Sequence, residues 1–151
     1  MNLSEYLTRR RAYALGARAA SWQEAVRLCT DILQRDGVVT EDYNAAILEG
    51  VEELGFYFLI GPGLAMPHAR PERGALQEGY ALVTLAEPVP LGEETADVFL
   101  AFAATSAEVQ NTRMMCDVAV LLGDDARVAK LRQVRTHEAL AAVLADVDYS
   151  E

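Results

Sequence analysis

A chain of 151 residues, 52% hydrophobic and 24% charged, has the balance of a soluble globular protein and is long enough to bury a sizeable core in a single domain over residues 1–151. Its net charge of −10 speaks against a nucleic-acid partner, because such binding is driven by clustered Lys and Arg that release counterions. No run of about 18 apolar residues is present for membrane insertion, and the N-terminus MNLSEYLTRRR lacks the hydrophobic region of a secretory leader, so a cytoplasmic location is expected.

Residues 3–10 read as a short helix whose end carries the only cationic cluster, Arg9-Arg10-Arg11, taken as a solvated helix end. Ser21-Trp22-Gln23-Glu24 has the capping-box pattern and opens a helix with Trp22, Ala25, Cys29, Ile32 and Leu33 on one apolar stripe, ended by Gly37. Thr40, followed by Glu41 and Asp42, starts the next helix; Tyr43, Ile47, Val51 and Leu54 make its buried face and Gly55 stops it. Cys29 and Cys116, isolated inside helical patterns, fit reduced core thiols better than a disulfide or a metal clip.

Residues 56–60 read as a strand, 64–66 as a second short extended piece and 80–85 as a third strand. Pro88, Pro90 and Gly92 mark 87–96 as a turn-rich connection, and 98–104 is a continuous apolar strand expected to be buried on both faces. Helices follow over 107–122 and 126–134, with a last one capped by Thr136 and running to about residue 147. Helices interleaved with short strands give an α/β sandwich, a central β-sheet flanked by helices on both faces.

The chemistry concentrates in residues 61–74, GPGLAMPHARPERG, which hold three of the five prolines and three of the ten glycines around His68. Pro67 and Pro71 fix their own φ and push Met66 and Arg70 toward extended backbone, so the loop is stiff and its imidazole can be aimed. In an extended segment Arg70 projects to the same side as His68 and offers a planar fork for phosphate or carboxylate. The bland alternative is a turn in which His68 caps a carbonyl and Arg70 pairs with an acid. A neutral imidazole can attack through one ring nitrogen while the other, donating to a nearby acceptor, fixes the tautomer. After the strand 98–104, Thr105-Ser106-Ala107-Glu108-Val109-Gln110 leads into a helix whose first N–H groups favour anions and are expected to face His68.

The string PGLAMPHARPE closely resembles the active-site segment of the enzyme IIA components of the sugar phosphotransferase system (PTS), in the mannitol/fructose-type (type 2) superfamily and its ascorbate-type branch. SWQEAVRLCTDIL, YNAAILEGVEELGFYF, GYALVTL and AFAAT fall at that family's places and in its order. The resemblance implies a mixed central sheet with a first strand at 12–17, and phosphorylation of His68 on Nε2. The donor it implies is the phosphorylated carrier HPr; the acceptor is a cysteine of the cognate IIB component, and through IIB the membrane component IIC. No metal or other cofactor is implied. Arg70, Thr105, Ser106 and Gln110 are the expected partners of the phosphoryl oxygens. The family usually has a second histidine where Gln110 stands, and an amide can donate a hydrogen bond but cannot titrate. Gln110 is therefore either a donor to a phosphoryl oxygen or to the imidazole, or a solvent-facing helix residue.

Two other readings stand beside the phosphocarrier: a regulatory IIA-like module in which Gln110 impairs onward transfer, and an anion-binding enzyme of unrelated chemistry. His137, at a predicted helix start, is read as a surface residue without a role. HExxH, CxxC, GxSxG and the P-loop string are all missing from the sequence. A homodimer is compatible with the sequence and not required by it.

Overall fold

The computed structural model describes residues 1–150. Helix α1 (Leu3–Arg10) opens under a reciprocal cap. The Asn2 side chain accepts from the Glu5 N–H at 2.9 Å, and the Glu5 carboxylate accepts from the Asn2 N–H at 3.2 Å. Strand β1 (Tyr13–Ala17) follows, then α2 (Trp22–Arg35). The box expected at Ser21 is half formed: its hydroxyl accepts the Glu24 N–H at 3.2 Å, and the Glu24 side chain gives no return bond. The α2 stripe buries Ala25, Val26, Cys29, Ile32 and Leu33, while Trp22 stays half-buried with its ring edge on Phe56, 5.2 Å between centroids.

Helix α3 (Glu41–Leu54) docks on α2 through Tyr43, Asn44, Ala46 and Ile47, and buried Thr30 donates to the Asn44 side chain at 2.8 Å. The apolar face expected to continue to Leu54 stops early: Val51 is half-buried and Leu54 is 71% exposed. Thr40 gives no side-chain cap. Of the strand expected over 56–60, only its end forms: β2 (Leu59–Gly61) turns through Pro62 into β3 (Gly63–Ala65), with Gly63 at φ 79°. That left-handed value favours a residue without a Cβ.

The expected connection over 87–96 is instead sheet. Strand β4 (Gly79–Leu91) continues through both prolines and pairs antiparallel with β5 (Glu94–Ala103) across a tight turn at Gly92. Beyond Leu85 β4 has left its other neighbour β1, so one edge carries no ladder and a missing proline N–H is tolerated there. The sheet order is β1-β4-β5-β3-β2, with β1/β4 and β3/β5 parallel and the other pairs antiparallel: a mixed sheet, as expected. Successive residues of Tyr80–Leu85 and Val98–Ala103 are all buried. Alternate side chains of a strand point to opposite faces, so helices must cover both faces of the sheet. Truncating Phe99 or Phe102, both fully buried, would cost about 3–5 kcal/mol.

After β5 the chain enters a helix that is not uniform. It runs as α4 (Ala107–Val109), a π-helical turn over Gln110–Met114, and α5 (Met115–Leu122). Helices α6 (Asp125–Gln133) and α7 (His137–Leu144) complete the fold; Thr136 caps α7, accepting from the Ala139 N–H at 3.1 Å, and α7 ends three residues before the expected 147. Cys29 is buried, but Cys116 is exposed, contrary to its reading as a core thiol.

Candidate functional site

The parallel pairing of β3 and β5 decides where the proline-rich loop goes. Parallel strands exit a sheet at the same end, so the segment after β3 and the helix after β5 emerge side by side. The loop stays attached to β5 beyond β3 itself: the Phe102 N–H donates to the Pro67 carbonyl at 3.3 Å. His68 is thereby laid on Phe102, with ring centroids 4.9 Å apart and planes 16° apart, and the Tyr57 ring meets it edge-on at 5.4 Å.

His68 Nδ1 lies 2.7 Å from the Met66 carbonyl oxygen. A carbonyl only accepts, so Nδ1 carries the proton and Nε2 keeps its lone pair. Burial pushes the imidazole pKa below its ordinary value, with the Met66 hydrogen bond working in the opposite direction; the neutral form is favoured. The bland expectation that His68 caps a carbonyl is thus met by the same bond that leaves Nε2 available.

His68 lines a cavity of about 620 Å³, together with Arg70, Tyr57, Gln110, Asn111 and the α3 residues Glu49, Gly50, Glu53 and Leu54. Arg70 is exposed and forms no ion pair among the described residues, against the alternative that an acid holds it. Its neighbour Arg73 is the paired one. It donates to Asp42 at 2.8 and 3.0 Å and to Glu49 at 2.7 Å, tying the end of the loop to α3 and keeping the Asp42 carboxyl below the usual range.

Gln110 is 3% exposed, so it is not the solvent-facing helix residue that the sequence left open. Its amide nitrogen donates to the Ala69 carbonyl at 2.8 Å; no hydrogen bond joins it to the imidazole. Thr105 and Ser106 are not among the cavity-lining residues, and the Ser106 hydroxyl caps α4 by accepting from the Val109 N–H at 3.4 Å. Three residues around the site escaped the sequence reading. Tyr43 was assigned to the core, yet its hydroxyl donates to the Phe102 carbonyl at 2.7 Å and accepts the Ala69 N–H at 3.0 Å. Tyr57 was assigned to a strand; its hydroxyl donates to the His68 carbonyl and burial pushes its pKa up to about 12. Asn111, exposed on the cavity wall, had no signal at all.

The sequence matches the family described as phosphoenolpyruvate-dependent sugar phosphotransferase system, EIIA 2, over residues 7–147. An ascorbate-specific PTS system EIIA component of Salmonella typhimurium (strain LT2) is 40% identical over 139 residues, covering 90% of each chain. Among solved structures, a protein of Streptococcus mutans provisionally named PTS IIA (PtxA) superposes with a TM-score of 0.90 at 35% identity, covering 97% of this chain and 94% of that one. The fold is also that of the IIA subunit in the complex of Escherichia coli enzyme IIAMTL with phosphorylated IIBMTL. That likeness has a TM-score of 0.75 at 24% identity and covers 89% of this chain and 94% of that one. A stiff PHARP loop with one free imidazole nitrogen, on a mixed sheet shared with these proteins, agrees with the family match over nearly the whole chain: the protein belongs to the EIIA 2 family of the phosphoenolpyruvate-dependent sugar phosphotransferase system.

Proposed function

We propose that this PTS component is a phosphocarrier that takes a phosphoryl group from phosphorylated HPr on His68 Nε2 and passes it to a cysteine of a cognate IIB protein. The Nδ1–H bond to the Met66 carbonyl carries the reading, because it dictates which nitrogen is nucleophilic. In the first step the Nε2 lone pair attacks phosphorus; an N–P bond forms as the donor's N–P bond breaks, and the donor imidazole leaves with that electron pair. Positive charge grows on the His68 ring, and the Met66 carbonyl, already accepting from Nδ1, stabilises it. In the second step a cysteine thiolate attacks, an S–P bond forms, and His68 leaves as the neutral imidazole. Transfer of this loose kind depends on alignment and charge stabilisation, which makes the guanidinium of Arg70, without an ion pair among the described residues, the first candidate for the phosphoryl oxygens, with Asn111 on the same cavity as the second.

The IIB partner is inferred by analogy with the IIAMTL–IIBMTL complex, and ascorbate or a related sugar as the cargo of the wider system from the name of the Salmonella relative. The test is incorporation of acid-labile phosphate from phosphorylated HPr, followed by a chase with IIB. Uptake at His68 and discharge to IIB is the expected result. Uptake without discharge would replace the carrier with the regulatory module, and no uptake would overturn the carrier and leave only the likeness of fold.

A further inference from the structure

The peptide groups next to His68 are held by side chains to an unusual degree. The His68–Ala69 peptide is gripped at both ends: its carbonyl accepts from the Tyr57 hydroxyl and its N–H donates to the Tyr43 hydroxyl at 3.0 Å. The next carbonyl, of Ala69, accepts from Gln110 at 2.8 Å. Three side chains from three separate segments thus converge on two successive peptides of a half-buried loop: α3, the turn before β2, and the π-helical turn.

Two of the three grips carry a local cost that packing alone does not explain. Gly50 lies under the Tyr57 ring: a Cβ at Gly50 would stand 2.9 Å from a ring carbon, so the ring would have to shift. Gly50 has no positive φ to justify it and sits inside α3, where glycine is worse than alanine by about 1 kcal/mol. Gln110 is a buried polar side chain at the first position of a π-helical turn, a rare interruption that places an extra residue in the helix. Tyr43 is fully buried, its hydroxyl satisfied in both directions by the loop and by β5.

We propose that Tyr57, accommodated by Gly50, together with Tyr43 and Gln110, are positioning residues that clamp the His68–Ala69–Arg70 backbone and so hold His68 Nδ1 on the Met66 carbonyl with Nε2 free. The clamp rests on the reading of His68 as phosphoryl acceptor, and it assigns Gln110 a place in the site that is not a contact to phosphate. The side chains act through the backbone. Removing one lets the loop shift, loosens the Nδ1 bond and admits the other tautomer, so that Nε2 is no longer always the unprotonated nitrogen. A misplacement of about 1 Å at a reacting atom is enough to cost about a hundredfold in rate.

The experiment uses Tyr57→Phe and Gln110→Leu in the full chain, with Gly50→Ala alone and in a Tyr57→Ala background. Two quantities are read: the His68 ring tautomer, from nitrogen NMR shifts in the absence of any donor, and the rate of phosphate uptake from phosphorylated HPr. Tyr57→Phe keeps the ring over Gly50 and deletes only the hydroxyl. It is expected to give a mixture of tautomers and uptake slower by about tenfold, with Gln110→Leu doing the same. Gly50→Ala should slow uptake when Tyr57 is present and have no further effect once the ring is gone, a non-additivity that a general loss of stability would not produce. A wild-type protein with a pure Nδ1–H tautomer and no uptake would defeat the acceptor reading and leave the clamp standing as a structural device. Variants with wild-type tautomer and wild-type uptake would overturn the clamp and leave the acceptor reading untouched.

Discussion

The chain has two histidines, each stacked on an aromatic ring and each with Nδ1 in a hydrogen bond, and they differ in what that bond decides. His68 meets a carbonyl, which can only accept, so its tautomer is dictated. His137, at the start of α7, meets the Tyr13 hydroxyl at 2.5 Å, and a hydroxyl both donates and accepts, so either tautomer is satisfied. His68 also lines a cavity with an unpaired arginine, whereas His137 lines neither of the two described cavities and packs flat on Tyr13. The partner of Nδ1 and the cavity, and not the stacking, separate the two histidines.

The largest expected effect separates the two residues directly. His68→Ala should reduce phosphate uptake from phosphorylated HPr to background while leaving the thermal midpoint within a few degrees, because the side chain borders a cavity and fills no core position. Undiminished uptake in that variant would move the acceptor elsewhere, with His137 the only other imidazole in the sequence. Next in size is Arg70→Gln, which keeps a donor and removes the charge. Loss of one such electrostatic contact in a transition state costs about a hundredfold in favourable sites, and less is expected for a residue as exposed as Arg70: about tenfold in uptake. An unchanged rate would pass the role to Asn111.

How far the site could be read beforehand follows the same division between local and distant causes. The proline pattern around His68 is local, since Pro67 and Pro71 restrict their own neighbours, and it singled out the loop, His68 and Arg70, while leaving open whether an acid holds Arg70. β5 was legible because six consecutive apolar residues, 98–103, can be buried only between two helical layers. Tyr43 and Tyr57 were not legible, because what makes them part of the site is the position of the loop in space, and a tyrosine on an apolar helix face looks like any core residue. Pro88 and Pro90 misled for a related reason: whether a proline breaks a strand depends on whether the neighbouring strand still runs alongside, and β1 ends its pairing at Leu85. Gln110 lines the cavity with His68, and its amide is bonded to the Ala69 carbonyl. It is also the first residue of a π-helical turn, which helical periodicity does not reveal.

The bond to Ala69 sets the outcome expected for a histidine at this position. Gln110→His exchanges an amide that reaches the Ala69 carbonyl for a ring of different length and shape, at a position 3% exposed. Onward transfer to IIB is expected to fall by a few-fold, about 1 kcal/mol for one disturbed hydrogen bond. A rise would show that the position faces the phosphoryl group after all.

pH gives a smaller effect with a definite sign. Burial lowers the His68 pKa from its ordinary value of 6.5, so at pH 6.5 more than half of the rings remain neutral and uptake should fall by less than about twofold from its alkaline plateau. The same shift makes a stability contribution. Between the folded and unfolded pKa values the unfolded chain binds more protons, so the contribution is fully present above pH 6.5 and is lost as pH falls toward the folded value. His68→Ala should flatten that part of the stability profile; an unaltered slope would mean that the imidazole titrates as a free one.

The smallest expected effect falls on the other histidine and completes the comparison. His137→Phe preserves a flat ring against Tyr13 and removes only the hydrogen bond to the hydroxyl. Tyr13 is half-buried, so water can replace the lost partner, and the cost in stability should stay within about 1 kcal/mol. Uptake should match wild type, and in the unmodified protein the His137 ring should show mixed tautomers while His68 shows one. If His137 proved to be fixed in a single tautomer as strictly as His68, the identity of the hydrogen-bond partner would no longer account for the difference between them, and the cavity with its unpaired Arg70 would have to carry that distinction alone.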